Sequence, residues 1–458
     1  MKLKLYNTAH KVKEVFEPIS GKNVKLYTCG PTVYDYAHIG NLRSYVFEDI
    51  LKRTLFFNGY KVKHVMNITD VGHLTSDADQ GDDKMEIMAQ KEKTSVADIA
   101  QKFTDQFLKD LNKLNVIESD ILAKATDYVK EQILFISRLE KKGYTYVIDD
   151  GVYFDTSKFP DYAQFARIDI GGLKEGARVI KNTDKNNVTD FALWKFSKKD
   201  KQRLQEWDSP WGIGFPGWHI ECSTISMKFL GEQLDIHTGG IEHIPIHHTN
   251  EIAQSESLTG KRFVKYWMHN EHLFFDGKKM SKSKGNYATL NDVIDKGFSP
   301  LAYRHLLLTA HYRSKMNFTW QSLGSSQHFL DNFYKRLSEL PNPTNVNSDY
   351  LDKFTRAIND DLNTPKALAI MQKLLKSNLD EDSKSATLLE FDEIFGLDMK
   401  KYIHKKTSTP RKIKILLNQR KRARSEGNYQ ESDKLRDKIL ELGFEVKDTP
   451  LGQKLIKI

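Results

Sequence analysis

Leu26-Tyr27-Thr28-Cys29-Gly30-Pro31-Thr32-Val33-Tyr34-Asp35-Tyr36-Ala37-His38-Ile39-Gly40-Asn41 is the stretch that decides the fold. It reads as a strand ending in Cys29, a Gly-Pro turn, and a helix opening near His38. Leu42, Val46, Ile50 or Leu51, and Leu55 recur at helical spacing, and Asn58-Gly59 stops the run. Strand, glycine turn and helix N-terminus together make an anion site. Free backbone N–H groups and the helix dipole point at whatever sits there. His38 is expected to add a side-chain donor. Gly40, without a Cβ, is expected to let a flat base approach the backbone.

Working outward, Lys61-Val62-Lys63-His64-Val65-Met66-Asn67-Ile68 reads as a second strand, and the helical connection implies a parallel sheet. The polar run from Asp77 to Lys84 reads as an exposed loop, since it lacks the glycine and closing glutamate of an EF-hand. Ser95 caps a helix carrying Ile99, Phe103, Phe107 and Leu111. Asp149-Asp150-Gly151 between two apolar runs is a hairpin signal, and the glycine- and lysine-rich text after it looks like an insertion between two halves of the sheet domain. Gln233-Leu234-Asp235-Ile236-His237 is a strand, and the Gly239-Gly240 pair after it again permits close approach of a ligand.

A chain of 458 residues implies more than one domain, and 25 Phe, 19 Tyr and 6 Trp argue against general disorder. No stretch is long and apolar enough to span a bilayer, so no membrane partner is expected. Two cysteines argue against a disulfide framework and fit a reducing cytoplasm. Residues 401–458 hold 16 Lys and Arg against 7 Asp and Glu, so the whole formal charge of +9 sits at that end. Such an end is either a solvated tail or a nucleic-acid-binding module.

Two constellations carry chemistry. His247 and Glu251 are spaced i, i+4 on the helix expected to begin near Pro245, which makes them a metal-ligand pair or a chance pair on a solvated face. Cys29 and Cys222 both lie beside the sheet. Two thiolates, an imidazole and a carboxylate make a zinc set. The second constellation is Gly277-Lys278-Lys279-Met280-Ser281-Lys282-Ser283-Lys284-Gly285-Asn286. It describes a mobile cationic loop able to fold over a polyphosphate.

Ala37-His38-Ile39-Gly40-Asn41 and Lys279-Met280-Ser281-Lys282-Ser283 resemble, in order, the two ATP signatures of class I aminoacyl-tRNA synthetases. With Cys29–Asp35, Asn67–Asp70, Pro216–Ser223 and His247–Ser255, the chain resembles the cysteinyl-tRNA synthetase family over nearly its whole length. The resemblance implies an α/β class I Rossmann-type parallel-sheet catalytic domain in two halves, 1–115 and 190–272, around a connective insertion, 116–189. It also implies a stem-contact region with the lysine loop at 273–325, an α-helical bundle at 326–406 and a small anticodon-binding domain at 411–458. It implies ATP with Mg²⁺, L-cysteine and tRNA(Cys) as partners, one Zn²⁺ per chain and a monomer.

Residue by residue, the resemblance implies zinc on Cys29, Cys222, His247 and Glu251, and cysteine on Gly30, Thr69 and Trp218. ATP would lie on His38, Gly40, Gly239, Gly240 and Lys282, with His38, Asn41, Lys279 and Lys282 catalytic. Anticodon bases would meet Arg424, Tyr429, Asp433 and Asp448. Two departures stand out: the longer text after Asp70, and Glu242 where an aspartate is common.

Overall fold

The structure, a computed structural model, describes residues 1–71, 74–76, 80–162, 164–167, 184–197, 203–280, 285–403, 411–449 and 452–457. The chain forms two compact units, Met1–Ile403 and His404–Ile458.

The first unit is built on a five-stranded parallel sheet. Its spatial order is Val264–Asn270, Leu234–Gly240, Asn23–Thr28, Lys61–Ile68 and Ile121–Lys124. Asn23–Thr28, the first of these five in chain order, is therefore the central one. The chain winds outward from it on one side, then returns to wind outward on the other. At that reversal the connections leave in opposite directions and open a crevice at the carboxyl ends of Asn23–Thr28 and Leu234–Gly240. Cys29, Thr69 and Gly240 all lie at such ends. The topology thus brings together residues more than 200 positions apart in sequence.

Helix Ile39–Phe57 follows the central strand, and Leu42, Val46, Ile50, Leu51 and Leu55 are all buried in the main core. Helices Trp320–Glu339, Ser348–Ile358, Thr364–Leu375 and Glu381–Phe395 join that same core. Arg304, fully buried, ties them to it by an ion pair with Asp49 (2.5 Å) and a hydrogen bond to the Phe395 carbonyl (2.6 Å).

Strand pairing moves two of the expected boundaries. Ile121–Lys124 falls inside the span 116–189 yet pairs in parallel with Lys61–Ile68, so it is a strand of the catalytic sheet. Phe191–Phe196 pairs antiparallel with Gly151–Phe154 on one side and Gly214–Pro216 on the other, so both strands belong to the inserted four-stranded sheet rather than to the half 190–272. The expected hairpin is there, Thr145–Ile148 against Gly151–Phe154.

The second unit comprises helices Arg411–Ser425 and Tyr429–Glu441 and the hairpin Phe444–Thr449 with Gly452–Lys457. Ile413, Ile439 and Val446 are its core, with Leu455 packed against them. The linker text Thr407–Pro410 lies outside the described residues.

Candidate active site

A cavity of about 670 Å³ opens at the crevice. Its wall includes Cys29, Gly30, His38, Asn41, Thr69, Trp218, Cys222, Gly239, Gly240 and His247. Residues expected to serve zinc, cysteine and ATP therefore share one space.

The metal-type donors converge. One ligand atom each from Cys29, Cys222, His247 and Glu251 lie within 4.8 Å of one another, and all four residues are buried. Both cysteines are free thiols. His247 Nε2 is 3.2 Å from Glu251 Oε1, yet Oε1 makes no hydrogen bond. A carboxylate oxygen left without a hydrogen bond among donor atoms this close together is what a shared cation would use. A second set, Cys29, His237, His248 and Glu251, overlaps the first. Three members of the first set line the cavity. His237 and His248 instead make a surrounding shell: His237 Nε2 lies 3.0 Å from Glu251 Oε2, and His248 Nε2 lies 3.4 Å from Cys29 Sγ. His219 Nδ1 bonds His247 Nδ1 at 3.0 Å, which leaves Nε2 of His247 for the cluster.

The electrostatics agree with a cation at this point. Burial opposes charge on His247, but the Cys222 and Glu251 anions lift its imidazolium to about 10. Burial likewise opposes the Glu251 carboxylate, and His237 and His247 outweigh it and bring the group down to about 2. Burial pushes the Cys29 thiol up, whereas Cys222 is drawn down against burial by the hydrogen bond from Cys29 and by His247. The cluster is electron-rich enough to retain a proton on histidine, and a divalent soft metal satisfies the same charge balance. The residues fit zinc.

Local structure explains these positions. Pro245, lacking an N–H, sits in a π-helical turn, Ile244–His248, before the α-helix Thr249–Thr259; the helix does not start as regular α at Pro245. Cys222 lies on helix Trp218–Leu230, which Gly217 caps. Asn67 Oδ1 accepts from Gly30 N–H (2.8 Å), and Thr69 Oγ1 donates to Glu221 Oε2 (2.8 Å). Trp218 tilts over His247 with ring centroids 4.5 Å apart and is half-exposed to the cavity rather than packed in a core.

The chain matches the tRNA synthetases class I (C) catalytic domain over residues 15–328 and the DALR domain over residues 353–397. It is 48% identical to cysteine–tRNA ligase 1 of Burkholderia lata over 456 residues, covering 99% of this chain and 97% of that one. It is 44% identical to cysteine–tRNA ligase of Treponema denticola over 482 residues, with 98% of each chain covered. The chain belongs to the cysteine–tRNA ligase family of class I aminoacyl-tRNA synthetases. Its fold is that of the Mycobacterium tuberculosis methionyl-tRNA synthetase solved with methionyl-adenylate, at a TM-score of 0.55 and 16% identity over 82% of this chain and 90% of that one. It is also that of the LeuRS in the Agrobacterium radiobacter K84 agnB2 LeuRS-tRNA-LeuAMS complex, at 0.59 and 13% over 84% and 85%.

Against this family background, several expected site residues sit differently. His38 is not simply a donor: its Nδ1 accepts from Asn41 N–H (3.0 Å) and caps the helix, while Asn41 Oδ1 accepts from His38 N–H (3.2 Å). The proton of a neutral His38 therefore resides on Nε2. The space beside Gly40 is taken by the His38 ring and Met280 Sδ, where a Cβ would come within 3.0 and 3.2 Å. Gly40 thus gives the His38 ring and Met280 room at the helix start. A Cβ on Gly239 would meet His243 Nδ1 at 2.6 Å, so this glycine makes room for the histidine shell. Lys279 is exposed on the strand Lys278–Lys279, and Lys282 lies outside the described residues.

In the second unit Arg424 pairs with Asp448 (2.6 Å), which Arg420 also holds through two bonds of 2.9 Å, and Asp433 faces Arg436 (3.4 Å). Arg424 and Asp433 are thus not partners of each other.

Sequence reasoning missed three groups. Glu48 is 2% exposed on the cavity wall, with Oε1 accepting from Thr238 (2.9 Å) and Oε2 without a hydrogen bond; burial raises its carboxyl to about 8. The histidine shell was foreshadowed by six of the 15 histidines falling between His219 and His269. Asp83, in the run expected to be an exposed loop, is buried on the strand Gln80–Asp83.

Proposed function

We propose that the protein is a cysteine–tRNA ligase that works through an adenylate. The cysteine carboxylate attacks the α-phosphorus of ATP, carried with Mg²⁺, to give cysteinyl-adenylate and pyrophosphate. The terminal ribose hydroxyl of tRNA(Cys) then attacks the adenylate carbonyl, giving cysteinyl-tRNA and AMP. Convergence of Cys29, Cys222, His247 and Glu251, the first three on the wall of the cavity that also carries His38 and Gly239, is the observation that supports this reading most.

Cys29, Cys222, His247 and Glu251 hold one zinc ion, which when bound supplies a soft Lewis acid that prefers a thiolate to a hydroxyl. Gly30, Thr69 and Trp218 orient the amino acid. His38 and Lys282 stabilise charge on the phosphates, Asn41 holds His38 in its tautomer, and Gly240 shapes the nucleotide end. Packing alone separates close analogues by only about 10- to 200-fold. Ligand chemistry at the thiol goes further, so discrimination against serine needs no editing domain. In the second unit Arg424, Tyr429, Asp433 and Asp448 read the anticodon, and the basic surface holds the tRNA backbone.

The test is cysteine-dependent exchange of pyrophosphate into ATP, run beside zinc analysis and tRNA acylation. Exchange with cysteine but not serine, one zinc per chain and charging of tRNA(Cys) are expected. Absence of exchange in folded, zinc-loaded protein would overturn the reading.

A further inference from the structure

Arg203 lies between the inserted strands Phe191–Phe196 and Gly214–Pro216, and no motif marks it. Its side chain is only 13% exposed. The guanidinium pairs with Asp83, whose side chain is 1% exposed, and Nε lies 3.9 Å from Glu86 Oε1. The neighbouring Leu204 N–H donates to Glu86 Oε1 at 2.9 Å. On its other face the guanidinium covers the Phe215 ring, 3.7 Å from the centroid.

These partners stand directly before two parts of the cavity wall. Asp83 is the N-cap of helix Lys84–Glu92 and accepts from Met85 N–H (2.7 Å), so its position sets that of Lys84, which lines the cavity. Phe215 belongs to the strand that runs through Gly217 into Trp218, which lines the cavity on another element. Gly217 has no freedom to slide: its N–H bonds Leu193 O (2.9 Å), and a Cβ there would come within 2.1 Å of Ala192 O. One planar cation thus joins the approach to Lys84 with the approach to Trp218. Only an arginine combines a forked donor set with a face that stacks on a ring.

We propose that Arg203 is a positioning residue for the amino-acid end of the cavity, fixing the Lys84 and Trp218 walls relative to each other. The inference rests on the cysteine-activation reading above. It assigns to the inserted sheet a role in substrate affinity although that sheet contributes no ligand of the metal set.

The experiment compares Arg203→Met, which keeps bulk over Phe215, with Arg203→Lys and Asp83→Asn in pyrophosphate exchange, with zinc content and thermal unfolding measured on each. Arg203→Met is expected to raise the KM for cysteine about tenfold and to leave the KM for ATP within about twofold, because a small displacement of a positioning wall is costly. Arg203→Lys should fall between Arg203→Met and wild type. The double variant Arg203→Met/Asp83→Asn removes the unpaired buried carboxylate and keeps the measurement interpretable if Arg203→Met folds poorly; its KM for cysteine should match that of Arg203→Met. An unchanged KM for cysteine in a folded variant, or equal changes for cysteine and ATP, would overturn the inference while leaving wild-type exchange intact. A wild type without cysteine-dependent exchange would overturn the functional reading and this inference with it.

Discussion

The cavity of the first unit and the surface of the second are built on opposite physical terms. In the first, Cys29, Cys222, His237, His247, His248 and Glu251 are all buried, and hydrogen bonds tie His219 to His247, His237 to Glu251 and His248 to Cys29. In the second, a small core around Ile413, Ile439 and Val446 supports an exposed basic face, and Tyr429 is 65% exposed. A buried site discriminates by making every mismatched group costly. An exposed cationic surface attracts at a distance, is screened by salt, and tolerates substitution. The proposed function makes this a division of labour, in which the buried crevice would decide amino-acid identity and the open face would gather tRNA.

The sharpest way to break that division is Cys222→Ser. The hydroxyl replaces a thiolate among buried donors, so zinc content should fall and exchange kcat/KM for cysteine should drop about 1000-fold, since even an outer partner of a metal ligand is worth about 10- to 100-fold. The KM for ATP should stay within about threefold. Full zinc content in this variant would remove Cys222 from the cluster.

Next in size is removal of the second unit. A chain ending at Thr407 should make cysteinyl-adenylate at a near-normal rate but charge tRNA with kcat/KM reduced about 100-fold, through lost phosphate and base contacts. All of the net positive charge lies beyond residue 400, so little attraction for the tRNA backbone remains. Unchanged charging by the shortened, folded protein would make the basic end a solvated tail.

Much of the first region was legible in sequence because its decisive residues sit at strand ends and a helix start with distinctive chemistry: Cys29-Gly30-Pro31, Gly217-Trp218, Gly239-Gly240. His247 lies in the π turn and Glu251 on the α-helix that follows it, yet the i, i+4 pair still meets, with Nε2 and Oε1 3.2 Å apart. What was not legible has physical causes. Ile121–Lys124 is an edge strand only four residues long, too short to carry a readable pattern. The inserted strands read as a return to the catalytic sheet because an antiparallel and a parallel strand look alike in apolar content. Asp83 and Arg203 are 120 residues apart, and nothing local tells a polar run that a guanidinium will close over it. Glu48 hides on a helix face read for its apolar positions alone.

Glu48 sharpens the contrast through pH. Its carboxyl ionises near 4.5 in an open chain and at about 8 when buried. The folded protein therefore holds this proton where the unfolded chain has lost it, and its stabilising share, complete below 4.5, declines as pH rises toward 8. Glu48→Gln retains an acceptor for Thr238 and removes the titration. Relative to wild type, the variant should gain about 2 kcal/mol of stability on going from pH 5.5 to 7 in urea unfolding, at about 1.4 kcal/mol per unit. A difference independent of pH would mean that Glu48 stays ionised in the fold.

The smallest effect belongs to Tyr429. It opens helix Tyr429–Glu441, is exposed, and packs in no core, so Tyr429→Ala should leave unfolding within about 0.5 kcal/mol of wild type. An exposed ring at a helix start offers a stacking face for an unpaired base, an interaction worth about 1–3 kcal/mol. The expected outcome is an approximately tenfold loss in kcat/KM for intact tRNA(Cys), with cysteine-dependent exchange unchanged; Tyr429→Trp should charge at least as well as wild type because the face is kept. The decisive control is a minihelix carrying the acceptor stem without an anticodon. Wild type and Tyr429→Ala should charge it equally, since the ring has nothing to stack on. If the variant lost the same factor on the minihelix, Tyr429 would act on the fold or on the acceptor end, and the open face would have no part in reading the anticodon.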